Sequence, residues 1–223
     1  HFRREWLSGY DVGRKAAAAN LADIAAMGAR GTALLVGLAA PVDLPVAWSL
    51  ELADGLRDEA ALVGASVVGG DVVRSDTLVV SVTALGDLDG LDPVTRSGAR
   101  PGDVVVLAGE LGQSAAGLDL LEAGTREGAL VDAHRRPTPP YEMGPVLARA
   151  GATSMCDVSD GLVADLGHIA RASGVRIDLD AADHHFLTGG EDHALVATMP
   201  ADADILAKAA SYAVGQTIGT WVE

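Results

Sequence analysis

Cysteine occurs once in this 223-residue chain, at Cys156. A single thiol excludes an internal disulfide framework and any multi-cysteine metal site, and it suits a reducing compartment. With no thiolate-stabilising neighbour it reads as a small core residue. Lysine is nearly as scarce: of 16 basic residues only Lys15 and Lys208 are lysines. No G-x-x-x-x-G-K-[ST] run is present, so there is no P-loop. Gly109, Gly112 and Gly117 miss the dinucleotide fingerprint, no G-x-S-x-G elbow occurs, and the six histidines show no zinc spacing. Positive charge is short overall. Thirty-one acidic against 16 basic residues give −15, which argues against a nucleic-acid-binding surface. Charge-free apolar runs such as Gly31–Val42 and Ala60–Gly70 fall far short of the ~20 residues that span a bilayer. No secretory leader opens the chain, which starts at His1-Phe2 without Met; the expectation is a soluble cytoplasmic protein whose true N-terminus is missing.

What is present is globular, with 49% hydrophobic and 21% charged residues in a length that allows one large domain or two small ones. Asp11 reads as the N-cap of a helix over Val12–Met27, stopped by Gly28. A buried strand is expected at Thr32–Ala39, a helix over Ala47–Val63, a short strand at Ser66–Val68 running into Gly69-Gly70-Asp71, and a strand at Leu78–Leu85. Between Asp87 and Asp103 the texture turns to Asp, Gly, Pro and Arg, the expected boundary between parts 1–90 and 91–223. Beyond it we expect strands at Val104–Ala108, Thr153–Met155, Val175–Leu179 and His193–Met199. Helices are expected at Leu118–Ala123, Tyr141–Ala150, Asp160–Ala172 and Asp202–Ala210. Alternation in both halves makes the class α/β or α+β. The sequence looks discontinuous at Asp183-His184-His185 and after Ala210. His134-Arg135-Arg136 reads as a solvated basic turn, and His168 as a surface or half-buried residue.

The chemistry-bearing residues are aspartates at element ends. Asp157-Val158-Ser159-Asp160-Gly161 falls where a strand meets a helix, whose first N–H groups favour anions. Ser159 or Asp160 as a plain helix cap is the simpler reading for either residue alone. It leaves Asp157 unexplained, because two carboxylates three residues apart repel unless a cation lies between them. Oxygen-only ligands suit Mg²⁺ best. Gly69-Gly70-Asp71 is a second such place, either an ordinary turn or a backbone that a phosphate can approach closely. Asp23 interrupts a small, apolar stretch of helix, on a solvated face or as a ligand. Arg96, in the linker, is either solvated or a fork-shaped phosphate donor. Gly189-Gly190-Glu191-Asp192 is a third Gly-Gly-acid element. An acidic chain with almost no lysine binds ATP only with metal ions as countercharge.

Asn20-Leu21-Ala22-Asp23-Ile24-Ala25-Ala26-Met27-Gly28-Ala29, Gly69-Gly70-Asp71, Arg96-Ser97-Gly98-Ala99-Arg100-Pro101-Gly102-Asp103, Asp157-Val158-Ser159-Asp160-Gly161-Leu162 and Leu187-Thr188-Gly189-Gly190-Glu191-Asp192 together resemble the thiamine-monophosphate kinase family, in order and spacing, from His1 to about Thr198. That family belongs to the aminoimidazole-ribonucleotide-synthetase-like ATP-binding superfamily. The resemblance implies a two-domain synthetase-like fold whose N-terminal mixed sheet pairs across a homodimer, followed by a C-terminal α/β domain. It implies ATP-dependent phosphorylation of thiamine monophosphate to thiamine diphosphate, with several Mg²⁺ ions. By position, Asp23, Asp71, Asp157 and Asp160 correspond to Mg²⁺ ligands. Gly70, Asp71, Arg96 and Ser159 correspond to ATP contacts, and His1 and Glu191 to contacts with the thiamine moiety. The family's Asp-Asp metal segment would precede His1, and its C-terminal aromatic residue is not identifiable here. A purine-precursor synthetase on the same scaffold and a non-catalytic nucleotide-binding dimer are the alternatives. The Asp-Val-Ser-Asp-Gly element speaks against the first.

Overall fold

Ser8 and Asp11 start the first helix. The Ser8 hydroxyl accepts from the Asp11 N–H at 3.1 Å while the Asp11 carboxylate accepts from the Ser8 N–H at 3.1 Å, a reciprocal capping box. Asp11 is therefore the third helical residue rather than the cap, and α1 runs Gly9–Ala26. The computed structural model describes residues 2–179 and 184–204. After α1 come β1 (Arg30–Ala40), α2 (Val46–Leu62), β2 (Ser66–Arg74) and β3 (Val79–Asp87). The second part holds β4 (Asp103–Ala108), α3 (Gln113–Glu122), α4 (Ala129–Arg135), α5 (Met143–Arg149), β5 (Ser154–Val158), α6 (Leu162–Ser173), α7 (His184–Thr188) and β6 (Ala194–Pro200).

Two three-stranded sheets form. The first has the order β2-β1-β3, with β1 parallel to β2 and antiparallel to β3; the second is antiparallel in the order β4-β6-β5. Leu34 and Leu38 of β1 enter a core with Trp48, Leu52 and Leu56 of α2 and with Val12, Ala17 and Leu21 of α1. Helix α1 meets α2 closely: a Cβ on Gly55 would lie 2.1 Å from the Tyr10 carbonyl oxygen, so only glycine permits this crossing. The other end of α1 belongs to a different core. Ala25 and Ala26 pack with Val106, Leu147, Met155 and Leu195. One helix thus joins both sheets, and burying its Leu21 contributes about 1.5–3 kcal/mol.

Several expected boundaries shift for identifiable reasons. β2 does not stop at Val68; Gly69-Gly70-Asp71 lies inside the strand, paired with Leu35, Val36 and Gly37. The register slips between Leu34 and Leu35, and Gly70 (φ 156°) sits where a Cβ would be 1.9 Å from the Val36 carbonyl oxygen. His134 lies on α4 and is 5% exposed, not in a solvated turn. Within Val175–Leu179 only Ile177 makes a strand-like bridge. α7 was not foreseen. The expected helix over Asp202–Ala210 and the run after Ala210 lie outside the described residues beyond Asp204, as do Asp183 and His1.

Candidate active site

β5 ends in Asp157-Val158, and the chain then turns at Ser159-Asp160-Gly161 into α6. The antiparallel neighbour β6 begins next to it, and the loop before β6 clamps onto the turn. The Glu191 N–H donates to the Ser159 carbonyl at 2.8 Å, and the His193 N–H to the Val158 carbonyl at 3.0 Å. Glu191 (φ 63°) and His193 (φ 55°) are held in the left-handed region, an unfavourable conformation for non-glycine residues that tertiary contacts must enforce. The outcome is that two distant motifs share one wall.

The opposite wall is α1. Lys15, Ala16, Ala19, Asn20 and Asp23 recur at helical spacing along one face, and with Asp157, Ser159, Asp160, Glu191 and His193 they line a cavity of about 720 Å³. Val80 and Val82 of β3 give it an apolar side. Asp23 and Asp157 both line this cavity. Burial first and the Asp157 carboxylate second push the Asp23 carboxyl above its ordinary value, against the pull of His193 and Arg96. Asp157 is 3% exposed, and its Oδ2 lies 3.0 Å from His193 Nδ1, which fixes the carboxylate's direction. Arg96 sits on the other side of this pair. It is exposed, and it lines a neighbouring cavity of about 410 Å³ that Asp23 and Asp157 also line.

The start of α6 differs from expectation. Its N-cap is Gly161, and neither Ser159 nor Asp160 caps it. The buried Asp165 carboxylate, one turn in, accepts from the Asp160 and Gly161 N–H groups at 3.0 and 3.1 Å, so the chain's own acid occupies this helix end. Among the described residues, Asp160, Asp165 and His168 form one group whose possible ligand atoms lie within 4.8 Å of one another. α3 is treated similarly: Asp192 accepts from the Gly112 and Ser114 N–H groups, both at 2.7 Å. Cys156 is buried, and burial followed by Asp165 and Asp157 pushes its thiol up to about 12, so it stays protonated.

Asp23, Asp157, Ser159, Asp160 and Glu191 thus surround one cavity, with Arg96 next to it. Gly70 and Asp71 do not reach it in this chain. They line a separate groove between α2 and the edge strand β2, where both are exposed. His1 lies outside the described residues. Lys15, Asp165 and His193 were not singled out from the sequence. The rarity of lysine was the one signal that pointed at Lys15; nothing local marks His193, whose partner is 36 residues away.

Residues 1–88 match the AIR synthase related protein N-terminal domain, and residues 100–223 the AIR synthase related protein C-terminal domain. The thiamine-monophosphate kinase of Mycobacterium tuberculosis is 53% identical over 218 residues, covering 88% of this chain and 66% of that protein. That of Corynebacterium glutamicum is 40% identical over 229 residues, covering 91% of this chain and 69% of that protein. The chain belongs to the thiamine-monophosphate kinase family. It spans 66% of the length of the mycobacterial relative. Among solved structures of this family, AaThiL complexed with AMPPCP and TMP superposes over 100% of this chain and 77% of that one, with a TM-score of 0.88 at 30% identity. The family's two-domain mixed α/β fold is the fold described above. No described helix is long and apolar enough to cross a membrane.

Proposed function

We propose that this chain carries out the ATP-dependent phosphorylation of thiamine monophosphate to thiamine diphosphate in the cytoplasm, as a homodimer and with several Mg²⁺ ions. The reading draws on family membership and on a relative of 30% identity that is complexed with AMPPCP, a triphosphate mimic, and TMP. The observation that carries it in this chain is the Asp23–Asp157 carboxylate pair, set in a cavity that also holds Ser159, Asp160 and Glu191.

The donor set fits a hard divalent cation. Two carboxylates of one cavity, one with its carboxyl pushed up by burial and by its neighbour, offer the hard oxygen ligands such a cation takes. Asp23, Asp157 and Asp160 would hold Mg²⁺, with Asp71 joining them. When bound, Mg²⁺ supplies the countercharge that the triphosphate needs in a chain of net charge −15. Gly70, Asp71, Arg96 and Ser159 are assigned to ATP, and His1 and Glu191 to the thiamine moiety. His193 keeps Asp157 aimed.

The acceptor is a phosphate oxygen already ionised at neutral pH. One bond forms from it to the γ-phosphorus, and the bond from that phosphorus to the bridging oxygen breaks, its electron pair leaving on ADP. No proton has to move, so no side chain is assigned as a base. The work left to the protein is positioning and charge neutralisation.

The homodimer assignment rests on the first sheet. Its face away from α1 and α2 carries Leu35 and Val73, 41% and 51% exposed. An uncovered apolar sheet face of this kind suits pairing with a second copy, and Gly70 and Asp71 would then act across or beside that interface. Sedimentation velocity is expected to give a dimer; a monomer at micromolar concentration counts against this part. The catalytic reading is tested by a coupled ADP assay with and without thiamine monophosphate, titrating Mg²⁺. ADP release that depends on both is expected, and release indifferent to thiamine monophosphate overturns the reading.

A further inference from the structure

Lys15 is 7% exposed, and it is one of the chain's two lysines. It stands on α1 two helical turns before Asp23, about 12 Å away along the axis, at the opposite end of the same cavity. Its ammonium reaches across to the second part of the chain. It donates to Glu191 Oε2 at 2.5 Å and to the His134 carbonyl at 2.9 Å, and its third proton faces His134 Nε2 at 3.5 Å. An ammonium has three donors and no acceptor, so each proton has a partner.

The surroundings favour one arrangement. Burial first, and then the Lys15 charge, hold the His134 ring down to about 4, so it is neutral. With Nε2 turned to an ammonium, the ring proton sits on Nδ1, 3.0 Å from Ser114 Oγ and 3.2 Å from the Ser114 carbonyl. Burial, the largest effect, leaves the Lys15 ammonium below its ordinary value, although Glu191 and then Asp192 pull it back up. Burial alone would raise the Glu191 carboxyl; Lys15, by charge and by hydrogen bond, reverses that and leaves it below its ordinary value. Glu191 is fixed at the backbone too, by its left-handed φ and its hydrogen bond to Ser159. Its side chain is 29% exposed, so the pair borders the cavity rather than lying sealed in a core.

We propose that Lys15 is a positioning residue for the acceptor substrate: it keeps the Glu191 carboxylate aimed at the end of the cavity opposite Asp23 and Asp157, and so sets affinity for the thiamine moiety of thiamine monophosphate, with its aminopyrimidine donor and its cationic thiazolium ring. The inference rests on the assignment of Glu191 to the thiamine moiety. A mere staple between the two halves of the chain would make the same hydrogen bonds but would leave substrate affinity untouched.

The test compares Lys15→Met, Glu191→Gln and the double variant in steady-state kinetics, with thermal melts alongside. Lys15→Met is expected to raise KM for thiamine monophosphate about tenfold or more while KM for ATP stays within about twofold. The double variant is expected to match Glu191→Gln alone, because Lys15 acts through Glu191. It leaves no half-buried carboxylate without its lysine, so it supplies the comparison even if Lys15→Met fails to fold. A lowered melting temperature with KM for thiamine monophosphate unchanged in Lys15→Met overturns the proposal, and so does a double variant much worse than Glu191→Gln. A Glu191→Gln variant with unaltered KM for thiamine monophosphate instead removes the assignment of Glu191 on which the proposal stands, which separates the two failures.

Discussion

The two sheets have the same number of strands and opposite surroundings. β4, β5 and β6 are buried almost end to end, whereas β2 is exposed along its whole length and β3 alternates between exposed and half-buried. The buried sheet acts as a rigid mount. Asp157 leaves its edge strand with a fixed direction, held by His193 at the start of the central strand. The open sheet presents Asp71 on a surface, abreast of Gly37 and Ser81, and nothing within the described residues covers that face. Three of the four aspartates expected to hold Mg²⁺ therefore line one cavity, and the fourth, Asp71, lies apart on the open sheet.

The sharpest way to break this contrast is a pair of isosteric substitutions. Asp157→Asn is expected to cut turnover by at least about 100-fold at saturating Mg²⁺, because it removes a carboxylate charge from the paired site. Asp71→Asn is expected to fall by a similar factor despite its distance from the cavity. Near-normal turnover in Asp71→Asn would leave the open sheet with no part in the reaction. A second comparison is mechanical. Leu195→Ala, at a fully buried position of β6, is expected to cost about 2–5 kcal/mol in urea unfolding, and Leu35→Ala on the open face of β1 under about 1 kcal/mol. Equal costs would mean that the open face is covered and contributes a core of its own.

The smallest effect concerns the seam between the two parts. Folded His134 takes up a proton only near 4, against an ordinary value of 6.5, so the unfolded chain binds more protons between those values. The stability that depends on this group is full above pH 6.5 and declines as pH falls toward 4. His134→Gln is expected to flatten that part of the profile in melts taken at half-unit pH steps; an unchanged slope would assign the loss to other groups.

Much of the architecture was legible because it is written in local signals. Alanine-rich helical spacing with Gly28 behind it marked α1, and runs of Val, Leu and Ala marked β1, β3, β4 and β6 to within a few residues. The boundaries that moved did so where two side chains compete for one role. Ser8 and Asp11 are both good caps, and only the reciprocal hydrogen bonds decide between them. Asp160 and Gly161 both precede α6, and the Asp165 carboxylate folding back settles which is the cap. Gly69-Gly70 looked like a strand end, yet the slip in register next to Leu35 lets the strand continue through it.

By itself, the order of residues determined which side chains are able to do the chemistry. Aspartates recur at the ends of apolar segments, lysine is nearly absent, and the spacing of the five motifs places the chain in one family. Residue order carries no distances across the chain, and so Lys15 next to Glu191, His193 against Asp157 and Asp71 out on an open face belong to the tertiary structure alone. The reason is physical: each of those relations joins groups many residues apart through burial and hydrogen bonding, and such interactions exist only once both sheets have closed around α1.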